Sequence, residues 1–260
     1  MILVLGIDAA TWTVITPNLE KLPSFRRLVE LGNATDLVLE EKPVSPSIWC
    51  GMFSGKTFEE HRHDSFVAGD KLVRRQDINV EFIWDILQQH GKKPRVLNVP
   101  FVVPPYSFNV DFKPVGFGLA TNEEEWWEEL EQVTVHTKKL LAESPDLIIS
   151  VYALLDRVQH FHWGEPRVLE WYTRLDSKIK ELVFDTGFLE VKNNKLIVIS
   201  DHGFCSIGEA GVQTLPLKTE WGELKGDHHE RALLITVNLD CHIKRPQDVF
   251  FLLKRELGIV

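Results

Sequence analysis

The sequence predicts an α/β fold with a mainly parallel central sheet and helices on both faces. Three observations predict it. Four short runs rich in Ile, Val and Leu (2–7, 95–99, 147–152 and 196–200) have the unbroken apolar character of strands covered on both sides. Stretches with apolar spacings of three and four lie between them. No internal repeat and no Gly/Pro/Ser-rich linker interrupts the alternation of strand and helix.

Taken in order, 2–7 is the first strand. No basic segment or small-residue cleavage site precedes it, so a cytoplasmic protein is the expectation. The helix over 23–31 (PSFRRLVEL) stops at Gly32, and that over 80–90 (VEFIWDILQQH) stops at Gly91. Residues 123–143 form a longer helix that opens with acidic residues, as the helix dipole favours. Trp126, Trp127, Leu130, Val133, Leu140 and Leu141 supply its apolar face, which fits burial in one subunit as well as an interface and so sets no oligomeric state. A helix over 167–184 ends before Asp185-Thr186-Gly187, and the last, over 247–257, ends at Gly258. Residues 100–121 hold Pro100, Pro104, Pro105 and Pro114 and read as a loop excursion near the site, within a single domain spanning 1–260.

Composition narrows the function. The chain has 260 residues, 44% of them hydrophobic, which is globular composition. Lys and Arg number 29 against 38 Asp and Glu, a formal net charge of −9 with no basic block, which argues against a nucleic-acid polymer as partner. Cys50, Cys205 and Cys241 are too few and too scattered for a disulfide scaffold or a cysteine zinc site. No apolar run approaches the ~20 residues of a membrane span.

In open α/β sheets, sites gather beyond the carboxyl ends of the strands. Asp8 follows the first strand here. Asp156 follows the third after a short loop, with His160 four residues on. Asp201-His202-Gly203 follows the fourth at once, and His228-His229 follow Gly226-Asp227. Singly, each has a bland explanation as a turn residue, a cap or a surface ion pair. Jointly, Asp and His converging without Cys point to a divalent metal of hard-to-borderline character. The segment 43–55 (PVSPSIWCGMFSG) runs from Pro-flanked polar residues into a helix-like stretch. It places Ser45 or Ser47 near a helix N-terminus, as a cap or as a nucleophile.

These motifs together resemble the alkaline phosphatase superfamily, in its type I phosphodiesterase/nucleotide pyrophosphatase branch. Gly6-Ile7-Asp8 matches the end of that family's first strand. Pro43-Val44-Ser45-Pro46-Ser47-Ile48-Trp49, then Ser54-Gly55 and His61, resemble its nucleophile segment. Alignment on Trp49 and Gly55 puts the nucleophile at Ser45. The stretches 82–87 and 96–100 resemble the family's middle segment. The run 155–163 contains its Asp-x-x-x-His motif, and 199–204 its Ser-Asp-His-Gly motif. Gly226-Asp227-His228 matches its final metal-binding His, and 248–259 its closing helix.

The resemblance implies two metal sites. Asp8, Asp201, His202 and the Ser45 oxygen would form one. Asp156, His160 and His228 would form the other, with His229 and His162 as neighbours and His61 structural. It implies two divalent ions, zinc first and manganese or iron as alternatives. The expected activity is hydrolysis of a small phosphate ester through a phospho-serine intermediate, with amides at the Ser45 helix N-terminus as oxyanion donors. A phosphomonoesterase, phosphonate hydrolase or phosphomutase on the same core, or a non-catalytic member, are the alternatives. The sequence departs from the family at Ser45, where Thr is usual, at Ser47, where Pro is frequent, and at Arg62 and Ala232, where Gly is frequent. Phe101, Tyr106, Trp163 and Phe204 are aromatics that could stack on a base, although core positions suit them better.

Overall fold

A computed structural model describes residues 1–100, 122–219, 222–240 and 242–259. The expected excursion over 100–121, with Phe101 and Tyr106, lies outside the described residues from 101 onward, as does Cys241. A six-stranded mixed sheet forms the centre, with helices around it. Its parallel middle is made of β1 (Ile2–Ile7), β5 (Pro94–Leu97), β6 (Leu147–Tyr152) and β7 (Lys195–Ile199), in the order β7-β1-β6-β5. All six residues of β1 and of β6 are buried. Successive side chains point to opposite faces of a sheet, so unbroken burial means that both faces are covered.

The other edge differs from a purely parallel expectation. β12 (Arg231–Val237) lies antiparallel to β7, and β2 (Asn33–Val38) lies antiparallel to β12. β2 carries Asn33, Thr35 and Asp36 and exposes alternate residues, so it has none of the apolar run that marks a central strand. Polar composition of this kind blunts an edge strand against pairing with other chains.

The predicted helices form with shifted ends. α2 (Pro23–Leu31) and α6 (Glu123–Glu143) have the expected bounds. α5 (Ile83–Gln89) begins three residues later than expected, because Phe82 is extended and its N–H donates to the Asp85 carboxylate at 2.9 Å. α8 (Pro166–Ile179) gives way to a wider π-turn over Lys180–Phe184, so 167–184 is not one regular helix. α9 (Asp248–Glu256) closes the described chain. Two further helices carry candidate site residues. α3 (Ser45–Ser54) is buried at all ten positions, and α7 (Leu154–His162) follows β6. One buried apolar cluster joins residues from Ile2 to Ile259. Among the described residues, no helix is long and apolar enough to cross a membrane.

Candidate active site

Three adjacent parallel strands end on the same edge, which is why their following residues meet. Ile7 pairs with Tyr152 and Gly6 with Ile199, so β1, β6 and β7 finish in register. Asp8 leaves β1, Asp201 and His202 leave β7, and Asp156 and His160 project from α7 just beyond β6. His228 arrives by a different route. β11 (Gly226–His229) pairs antiparallel with β8 (Gly203–Ser206), which sets His228 opposite Phe204 and beside His202. The His202 and His228 rings stack at 3.7 Å. Gly203 lets the backbone at Arg231 come close, because a Cβ there would lie 2.1 Å from the Arg231 carbonyl oxygen. Gly6 has a matching reason: a Cβ would lie 2.8 Å from the Trp49 ring, whose Nε1 reaches Asp8 Oδ2 at 3.5 Å.

The histidine tautomers follow from their partners. His160 Nδ1 lies 3.1 Å from the Gly226 carbonyl, His228 Nδ1 2.6 Å from that of Pro43, and His202 Nδ1 2.9 Å from that of Gly203. A carbonyl only accepts, so each Nδ1 carries a proton, and a ring that is neutral presents a bare Nε2 lone pair. Those lone pairs face one another and carboxylate oxygens, with the Ser45 hydroxyl as a donor beside His202. His160 Nε2 and His228 Nε2 are 3.0 Å apart, and both stand within 3.3 Å of Asp156 Oδ1. His202 Nε2 lies 3.5 Å from Asp8 Oδ1, 3.4 Å from Asp201 Oδ2 and 3.2 Å from Ser45 Oγ. Despite these distances, Asp8 Oδ1, Asp156 Oδ1 and Asp201 Oδ2 are buried with no hydrogen-bond partner. Lone pairs converging without protons between them repel unless a cation stands among them. The donor atoms of Asp8, Asp201 and His202 lie within 4.8 Å of one another, as do those of Asp156, His202 and His228. The residues therefore fit divalent cations held by nitrogen and oxygen donors.

The electrostatics agree. Burial, then the nearby charges of Asp201 and Asp156, holds Asp8 well above the usual carboxylate range. Burial pushes Asp201 up to about 6, against the downward pull of the nearby Ser45 hydroxyl and the Ala9 N–H. Desolvation raises the half-buried Asp156 as well, but His160 and His228 outweigh that and hold it well below the usual range. Burial and the adjacent His228 keep His202 well below the ordinary imidazole value. Two buried carboxylates and a half-buried third within reach of one another are a poor arrangement for a protein alone and a good one around positive charge.

The two serines separate cleanly. Ser45 Oγ sits beside His202, whereas Ser47 Oγ donates to Glu41 at 2.9 Å and is turned to that carboxylate. Gln247 holds the other Glu41 oxygen at 3.1 Å. The helix N-terminus offers fewer amides than the sequence suggested. Pro46 has no N–H, and those of Ser47 and Ile48 donate to the Val44 carbonyl.

His229 and His162 stand outside both groups. His229 Nδ1 accepts from the Arg231 N–H, and His162 Nδ1 pairs with Glu165 at 2.7 Å. His61 is buried away from these contacts and accepts from the His63 N–H. Phe204 is 1% exposed beneath the His160 ring, so it is a packing residue. Trp163 packs on Phe204 and donates to Ser206 at 3.2 Å. Sequence reasoning missed Gln159, which is buried between Asp156 and His160 on α7. It also missed Asp227, whose carboxylate takes the N–H groups of His228 and Thr214. A polar residue inside an otherwise apolar helix face was the available signal for Gln159.

An α/β sheet with Asp and His donors gathered at its carboxyl edge, and a serine hydroxyl among them, defines the class of metal-centred α/β enzymes. The family model for type I phosphodiesterase/nucleotide pyrophosphatase matches residues 2–247, so the chain belongs to that family, whose members are metal-dependent hydrolases of phosphate esters. No curated protein matches the chain by sequence. Among solved structures, it is similar to murine ectonucleotide pyrophosphatase/phosphodiesterase 5, with a TM-score of 0.65 and 14% identity, covering 100% of this chain and 95% of that one. It is similar to phosphonoacetate hydrolase from Sinorhizobium meliloti 1021, with a TM-score of 0.56 and 12% identity over 78% of this chain and 56% of that one. It is also similar to a 2-O GAG sulfatase, with a TM-score of 0.63 and 10% identity, over 100% of this chain and 70% of that one. At these identities the likeness is one of fold.

Proposed function

We propose that this single domain is a two-metal phosphodiesterase of the nucleotide pyrophosphatase type, acting on small phosphate esters with Ser45 as nucleophile. The observation that carries it is the convergence of three carboxylate oxygens without a hydrogen-bond partner and three imidazole Nε2 atoms beside the Ser45 hydroxyl. Asp8, Asp201, His202 and the Ser45 oxygen would hold one ion. Asp156, His160 and His228 would hold the other. Mixed Asp and His donors suit zinc, with manganese or iron as alternatives. When bound, such ions supply Lewis-acid charge to the oxygens of an in-line displacement.

The chain's own residues do the rest. Ser45 Oγ forms the new bond to phosphorus while the bond to the leaving ester oxygen breaks, and the hydroxyl proton passes to solvent. Water then attacks the Ser45 phosphate, releases the product and restores the hydroxyl. The carbonyls of Gly226, Pro43 and Gly203 keep each Nδ1 protonated, so that Nε2 stays available as a donor atom.

Ser45→Ala tests the nucleophile. Hydrolysis of bis-nitrophenyl phosphate should fall about 10³-fold or more, while divalent-ion content stays near that of the wild type. Wild-type turnover by this variant would remove Ser45 from the reaction. Rates on the nitrophenyl monoester, run beside the diester, separate this reading from a phosphomonoesterase. No turnover across phosphate, phosphonate and sulfate esters, with ions bound, would make the chain a non-catalytic member.

A further inference from the structure

Gln159 is fully buried, and both ends of its amide are used. Its Nε2 donates to the Ala9 carbonyl at 2.9 Å. Its Oε1 accepts from the Tyr172 hydroxyl at 3.1 Å, and that hydroxyl accepts the Thr11 N–H at 3.0 Å. The polarity is forced. Ala9 O can only accept, so the nitrogen of Gln159 must face it, and the oxygen must then face Tyr172, which donates. The segment 9–11 is thus held at both ends by α7 and α8.

That segment needs holding. Ala9 has φ +62°, a left-handed conformation that is unfavourable for an L-residue. It immediately follows Asp8, and its N–H lies 3.3 Å from Asp201 Oδ1. Strain of this kind persists only where the surroundings over-determine it. Gln159 itself stands between Asp156 and His160 on α7. One side chain therefore joins the backbone that aims the first donor group to the helix that carries the second.

We propose that Gln159, with Tyr172 behind it, is a positioning residue that fixes the strained turn at Ala9 and thereby the spacing of the two metal half-sites. This rests on the two-ion reading above. It makes a claim about geometry that donor residues alone do not supply.

The test uses Mn2+ as probe on the full chain, followed by calorimetry and by the electron paramagnetic resonance of coupled ion pairs. Wild type should take up two ions with a coupled spectrum. Gln159→Met, close in size but without the amide, should bind about tenfold more weakly or worse and lose much of the coupling. Adding Ala9→Gly should restore a good part of both, because glycine adopts the left-handed turn without help. Simple loss of core packing would not be repaired by that glycine. Tyr172→Phe removes only the hydroxyl and should shift binding the same way by a smaller factor. It decides the matter alone if Gln159→Met does not fold. Folded variants with wild-type Mn2+ affinity and coupling overturn the inference and leave the two-ion reading intact. So does a Gln159→Met defect that Ala9→Gly leaves unrepaired. A wild-type chain that takes up fewer than two ions overturns the two-ion reading itself, and this inference with it.

Discussion

Asp176 and Asp201 are both buried carboxylates, 2% and 0% exposed, and the fold treats them in opposite ways. Asp176 sits on α8 against the start of α2. Its oxygens accept the N–H groups of Ser24 at 3.1 Å and Phe25 at 2.8 Å, and Ser24 Oγ donates to its carbonyl. α2 begins at Pro23 with no side-chain cap of its own, so a carboxylate from another helix meets its orphan amides and its dipole. Asp201 has one oxygen at the Ala9 N–H and the other unpaired against a bare imidazole nitrogen. Both oxygens of the first are met by amides of the chain, although burial outweighs those bonds and still holds it above the usual carboxylate range. The second is left open, together with Asp8 and Asp156. A buried charge that the chain completes is architecture, whereas a cluster that it leaves incomplete is a site for something else.

The largest test of this contrast is a pair of isosteric substitutions. Asp201→Asn should lower ester hydrolysis by at least about 100-fold, since even partners behind a metal ligand cost 10–100-fold. In chelator, the same variant should be as stable as wild type or more so, because it removes one of several crowded negative charges. Asp176→Asn should do the reverse. Activity stays within a few-fold and stability falls by about 1–3 kcal/mol as charge-assisted bonds to α2 are lost. Steady-state rates and urea melts on both variants measure this. Equal destabilisation of the metal-free protein by the two substitutions would break the distinction.

Ion addition probes the same contrast with a smaller effect. A ligand at 100 times its dissociation constant stabilises the folded state by about 2.7 kcal/mol per site. Zinc or manganese added to chelator-stripped protein should therefore raise the melting temperature, and Asp8→Asn should lose much of that rise. Asp176→Asn should keep all of it. A full shift in Asp8→Asn would show that the ions stabilise the chain from elsewhere.

How much of this was legible in the sequence follows from what each signal depends on. The four parallel strands, α2 and α6 rest on local apolar periodicity, which the sequence displays directly. β2 escaped because an exposed edge strand has no such pattern. The start of α5 moved because a side-chain bond from Asp85 to the Phe82 N–H, and not periodicity, sets it. The candidate site was legible as residue types after strand ends. Its polarity was not. Which histidine nitrogen is bare depends on carbonyls at Pro43, Gly203 and Gly226 that any residue could supply. Ser45 and Ser47 look alike by residue type, and only the family resemblance favours Ser45; in space they separate because Glu41 and Gln247 meet beside Ser47.

The smallest prediction concerns the one pair of histidines that challenges the rule. His61 and His63 are buried, and each has an Nε2 without a hydrogen-bond partner, as an ion site might. The difference lies in the proton. His61 Nδ1 accepts the His63 N–H at 3.0 Å, so its Nε2 bears hydrogen and offers no lone pair. For His63, burial first and the neighbouring His61 next push the imidazole down to about 4 from its ordinary 6.5. The folded state then resists a proton that the unfolded chain accepts. The neutral ring's full contribution is present above pH 6.5, is lost as pH falls toward 4, and changes no further below that. One such group accounts for a slope of at most about 1.4 kcal/mol per pH unit. Urea melts in chelator at pH 7, 5.5 and 4.5 should show this acid-side loss, to which the likewise lowered His61 and His202 also contribute, and His63→Gln should remove its own share without changing Mn2+ uptake. An unchanged acid slope in that variant would place the sensitivity elsewhere. A loss of Mn2+ uptake would instead make this pair part of the open cluster.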